Sequence, residues 1–226
     1  MKFFFTDIKR IFTEPAFYIS IGLNLILLFG ALVFLISTDS NDSLFFSAQA
    51  LALPFAAPVL AAMPYSVMIM QEKETRFSTL MTIKMRKSGY QLTRLLTSGF
   101  SGSAVLFIPE FLLFVFCLFI QPYSDLSYSL KYLMLTLSFG FGYAAISYGL
   151  TFVNRQRYVP LVMPQVIYLL CIYAFPHLKL EKFYPPLDIA PAIYGSDITP
   201  DRIFIPLLIT ALGLVLTIIG KVGERR

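Results

Sequence analysis

One carboxylate deep inside an apolar stretch is the residue of this chain best placed to do chemistry. Glu110 lies in the run from 95 to 120, about 22 Å along a helix from the first residue of that run at ~1.5 Å per residue. An acid at such a depth in a membrane is costly, and it faces a bundle interior or a wet cavity. Two readings of Glu110 stand side by side. It lines a pathway or gate in the outer half of the bilayer, or it is a structural carboxyl bonded to a tyrosine or to backbone near Pro109. No series of further acids accompanies it, so the sequence offers no proton-pump relay.

Other chemistries fail on spacing. Gly99-Phe100-Ser101-Gly102 resembles the G-x-S-G pattern of rhomboid-type intramembrane serine proteases, which need a histidine beside the serine. The one histidine, His177, closes the fifth apolar run at the face opposite Ser101. Gly213…Gly220-Lys221-Val222 lacks the spacing and the hydroxyl of a phosphate-binding loop, and no H-E-x-x-H occurs. Cys117 and Cys171 both fall inside apolar runs, against a disulfide framework or a zinc site. The expectation is a chain with no catalytic residue, no metal and no cofactor of its own.

The elements that must position these residues are apolar throughout. Hydrophobic residues make up 57% of the 226 and the mean hydropathy is +0.73, which excludes the soluble classes. Apolar runs cover roughly 16–37, 44–70, 95–120, 128–153, 159–176 and 203–220. A helix of about 20 apolar residues crosses a hydrocarbon core of about 30 Å, so the pattern predicts an all-α integral membrane protein with six spans. Residues 1–226 read as a single transmembrane domain. The first run is long and no A-x-A site follows it, so it reads as a span rather than a cleaved leader.

Charge sets the expected orientation. Lys2, Lys9, Arg10, Lys73, Arg76, Lys84, Arg86, Lys87, Arg94, Arg155, Arg157, Lys221, Arg225 and Arg226 all fall on one side, fourteen of the 18 basic residues. Lys131, Lys179, Lys182 and Arg202 share the other side with seven acids. Both termini are therefore expected in the cytoplasm of a cell with this protein in its plasma membrane, a bacterial one by style. The pI near 9.2 follows from these topological markers and calls for no nucleic acid.

Between the spans, four features stand out. Phe4, Ile8, Ile11 and Phe12 form one apolar stripe over residues 2–13, with Asp7, Lys9 and Arg10 off it, which predicts an interfacial helix ended by Pro15. Pro54, Pro58 and Pro64 in the second span imply a bent helix, either lining a cavity or simply curved for packing. Residues 71–94 form the largest cytoplasmic segment, with Phe77, Leu80, Met81 and Lys84 on one face and Gly89 expected to break it. That segment suits the docking of a soluble partner, or it only anchors topology. Gly140 and Ala144 form a small-xxx-small pair for close helix approach.

Taken together, Lys9-Arg10-Ile11-Phe12-Thr13-Glu14-Pro15, the six-span layout and the run Glu72, Glu74, Thr79-Leu80, Arg86, Tyr90, Arg94 resemble permease subunits of ABC transporters of the type-2 exporter class. The FYPPLD stretch after the fifth span is similar to the proline-rich turn of that class, and the small size resembles the staphylococcal phenol-soluble-modulin exporters. The chain departs from the pattern with Arg76-Phe77 where glycine is common and Arg94 where lysine is usual. The resemblance implies two permease copies, or one with a related permease, forming a twelve-helix channel. It implies a separate ATPase subunit that supplies ATP and Mg and docks on a coupling helix bearing Glu72, Glu74, Arg76, Phe77, Leu80, Met81 and Lys84. It also implies a pathway near Glu110, Pro54 and Pro58 for amphipathic peptides or other hydrophobic compounds. A non-transporting anchor or sensor subunit that recruits a cytoplasmic partner is the rival reading.

Overall fold

A computed structural model describes residues 2–38, 43–75, 87–120, 126–153, 156, 158–179 and 204–223. Among the described residues there are seven helices and no strand: α1 (Lys2–Ile11), α2 (Pro15–Ser37), α3 (Leu44–Glu74), α4 (Lys87–Ile120), α5 (Leu126–Val153), α6 (Val159–His177) and α7 (Phe204–Gly223). Four of them, α2 to α5, are long and apolar enough to cross a membrane. The apolar stretches described in α6 and α7 are shorter, Val159–Ala174 and Leu207–Ile219.

Local sequence explains the first corner. Thr13 and Glu14 donate backbone N–H bonds to Arg10 and Ile11 at 3.0 Å, which closes α1 in a tight turn. Glu14 is extended (φ −81°, ψ 128°), as a residue before proline must be, and Pro15 opens α2 where its missing N–H costs nothing. The two ends of the 71–94 segment differ from the sequence expectation. Helix α3 runs on to Glu74 and α4 begins at Lys87, so Gly89 sits inside the first turn of α4 and breaks nothing. A glycine costs a helix about 1 kcal/mol relative to alanine, too little to end one that packing supports on its other turns.

The packing is centred on α3, α4 and α5, with α2 against α3 and α4, α6 against α3 and α5, and α7 against α5. Two glycine contacts bring backbones together. A Cβ on Gly102 of α4 would lie 2.6 Å from the Gly140 carbonyl of α5, and one on Gly213 of α7 would lie 2.6 Å from the Ala145 backbone of α5. Gly140 thus serves close helix approach, as its spacing from Ala144 implies. Large apolar side chains point outward on α2 (Ile26, Val33, Phe34) and α7 (Leu207, Leu208, Ile218). Such belts suit a lipid surround. The charged residues of α1, the last turns of α3 and the first turns of α4 gather at one end of the bundle, called the basic end below. The start of α3, the end of α4 and the start of α5 form the far end.

Candidate functional site

At the basic end, three helices converge on one arginine. The Arg94 side chain of α4 is 2% exposed, and it meets Asp7 of α1 and Glu72 of α3, each about as buried. Nη1 lies 3.0 Å from Asp7 Oδ1, and Nη2 donates to Glu72 Oε1 at 2.8 Å. Arg10 of α1 reaches the same Glu72 oxygen from the rim. Tyr65 of α3 donates its hydroxyl to Asp7 Oδ2 at 2.9 Å and accepts from Arg94 Nη1 at 3.2 Å. The guanidinium also lies 5.2 Å from the Tyr90 ring centroid. Among the described residues two acids and two guanidiniums balance at the junction, the condition under which buried charge survives.

Burial pushes the Asp7 carboxyl up from its ordinary value, against the opposing pull of the Arg94 guanidinium and the Tyr65 hydroxyl. The place of Asp7 on the helix was readable: Phe4, Asp7 and Ile11 follow i, i+3, i+7 and share a face. The sequence expectation placed Asp7 off the stripe, whereas the structure puts it inside the packed face.

Of the residues expected to form the docking helix, Glu72 belongs to this junction and Glu74 is exposed one half-turn beyond it. Arg76, Phe77, Leu80, Met81 and Lys84 lie outside the described residues.

Prolines in α3 and α4 create a second set of polar contacts. Pro58 has no N–H to offer the carbonyl of Pro54, four residues back, and Gln165 of α6 donates its Nε2 to that oxygen at 3.1 Å. Pro109 leaves the Val105 carbonyl in the same position, and Asn24 of α2 donates to it at 3.1 Å. These two freed carbonyls are re-satisfied by amide side chains from neighbouring helices, the condition on which membrane helices tolerate proline. Helix α3 runs unbroken through Pro54, Pro58 and Pro64. Nothing in the composition of α2 or α6 marks Asn24 or Gln165 beyond their being amides in apolar runs.

Towards the far end, Glu110 is fully buried. Gln49 of α3, also fully buried, donates Nε2 to Glu110 Oε2 at 3.3 Å, and the Thr136 hydroxyl of α5 lies beside the carboxyl. Glu110 is thus bonded to a carboxamide, a partner absent from both sequence readings. Ser101 donates to the Ser98 carbonyl of its own helix at 2.8 Å, an ordinary intrahelical role. Among the described residues no group of three or more metal-ligating side chains occurs. No family model, curated protein or solved structure matches the chain.

Proposed function

We propose that this chain is the membrane subunit of an ATP-driven exporter of the type-2 ABC class, with six spans, both termini cytoplasmic and the basic end facing the cytoplasm. The observation that carries the reading is the junction of Asp7, Glu72, Arg94, Arg10 and Tyr65. It fastens an interfacial helix to the two helix ends from which residues 75–86 emerge. A docked ATPase pulling on that segment would move α3 and α4 against a cross-linked base rather than against loose helix ends. A passive anchor has no need of such a base. The exported compound is amphipathic or hydrophobic, and a second copy or a related permease completes the channel in the plasma membrane.

Co-purification of the chain from its host in mild detergent, with assay of ATP hydrolysis, tests the reading. A stoichiometric ATPase that is lost on Glu74→Ala or Phe77→Ala is the expected result. Glu74 is exposed, and retention of the wild-type thermal midpoint in both variants separates loss of the partner from unfolding. A chain that purifies without an ATPase, while other transporter complexes of the same host stay intact, would place the anchor reading first.

A further inference from the structure

The contact between Glu110 and Gln49 belongs to two layers built by the same three helices. Gln49 on α3, Glu110 on α4 and Thr136 on α5 form the polar layer. One turn nearer the far end of each helix stand Phe45, Phe114 and Tyr132. The Phe45 ring lies 5.3 Å from Phe114 and 6.3 Å from Tyr132, centroid to centroid. Aromatic side chains therefore close over the carboxyl on that side.

The polar layer does not balance if Glu110 is ionised. Gln49 Nε2 bonds Oε2, yet Glu110 Oε1 and Gln49 Oε1 are both buried with no hydrogen-bond partner. Both are acceptors; the Thr136 hydroxyl, which donates to the Tyr132 carbonyl at 3.3 Å, is the one further donor acting on the carboxyl, and among the described residues no Lys, Arg or His side chain acts on Glu110. One proton on Oε1 resolves both at once: the acid donates to Gln49 Oε1 while Gln49 Nε2 donates to Oε2, a cyclic acid–amide pair. The titratable groups facing this site are Tyr132 of α5 and, past it, Tyr128 of α5 and Tyr168 of α6. These are phenols, which supply no counter-charge near neutral pH; the buried Tyr132 hydroxyl, itself without a hydrogen-bond partner, is a neutral donor one turn from the pair.

We infer that Glu110 and Gln49 form a proton-binding latch, a neutral carboxylic acid–amide pair that holds the far ends of α3 and α4 together and releases when the proton leaves. Loss of the proton leaves a buried carboxylate facing an amide oxygen with no cation beside it, an arrangement relieved by parting the layer and admitting water. The inference stands on this geometry and does not require the exporter reading.

Infrared difference spectra of the full chain in lipid bilayers test it. At neutral pH the wild type should show the carbonyl stretch of a protonated carboxyl that Glu110→Gln abolishes, and Gln49→Leu should move that band to higher frequency. Glu110→Gln can form the same cyclic pair, so its thermal midpoint should match the wild type and lose dependence on alkaline pH. A carboxylate band assigned to Glu110 at neutral pH, or a protonated band unmoved by Gln49→Leu, would overturn the pair. A carboxylate band that shifts on adding sodium ions would also overturn it and assign a cation site instead. Should Glu110→Gln fail to fold, the Gln49→Leu shift in a chain labelled at its glutamates decides alone.

Discussion

Arg94 carries more of the basic end than any other side chain, because it is the cation within reach of two buried acids. Removing one partner of a buried charge cluster costs about 3–5 kcal/mol, since the remaining charges lose their compensation. Arg94→Met should therefore lower thermal stability in detergent by that order. Asp7→Asn should cost far less, because asparagine keeps an oxygen for Tyr65 and Arg94, and burial already works against the Asp7 charge. The pH dependence separates the two effects. With its affinity for a proton raised on folding, Asp7 lends stability that is fully present below the unfolded carboxyl's range and lost as pH rises through the folded one. Thermal midpoints followed across that acid window should fall with rising pH in the wild type and fall less in Asp7→Asn. An identical slope in both would show that Asp7 has no such linkage.

At the scale of helices, the proline carbonyls make a sharper test than any single deletion. Gln165→Leu exposes the Pro54 carbonyl to apolar surroundings and should destabilise by about 1 kcal/mol, the range of hydrogen bonds between membrane helices. Pro58→Ala returns an N–H to α3, so the same Gln165→Leu change in that background should cost close to nothing. A double-mutant cycle by reversible unfolding reads the coupling directly. Equal costs in both backgrounds would mean that Gln165 packs without serving the carbonyl. The same helices show what the sequence made legible. Runs of apolar residues located α2, α5, α6 and α7 to within three residues at each end, and Pro15 marked the first corner, because hydropathy and proline act locally. The overruns of α3 to Glu74 and α4 from Lys87 were not legible. They depend on Arg94 and Glu72 neutralising each other across two helices, and period and composition carry no record of that. Glu110 stood out as a buried acid, whereas its partner Gln49, 61 positions away, had no local signal.

For the whole molecule, the open question of physics is how α6 and α7 sit, since their described apolar stretches are shorter than those of α2 to α5. Two contacts favour spanning. Gln165 ties the middle of α6 to the interior of α3, and Gly213 places the backbone of α7 against Ala145 of α5. A helix lying flat on a surface would present neither contact to the core of a bundle. Charge agrees, because residues 178–202 hold Lys179, Lys182 and Arg202 against Glu181, Asp188, Asp197 and Asp201, with none of the positive excess that marks a cytoplasmic loop. If α6 and α7 span, position 188 and the termini lie on opposite sides of the membrane, the termini inside on the proposed orientation; if they lie flat, position 188 shares the termini's side. In a background with Cys117→Ala and Cys171→Ala, a cysteine at position 188 should react in intact cells with an impermeant thiol reagent. One at position 225 should react only after the membrane is opened. Labelling of 188 only after opening would reduce the bundle to four spans and leave α6 and α7 at the cytoplasmic face. Gly213→Leu adds an independent reading: a bulky side chain cannot fit 2.6 Å from the Ala145 backbone, so it should detach α7 and make a cysteine placed at the buried position 217 more reactive to lipid-soluble thiol reagents. If the variant keeps wild-type stability and labelling, the α5–α7 contact does not hold the last helix in place, and the case for six spans would rest on the Gln165 contact and on charge.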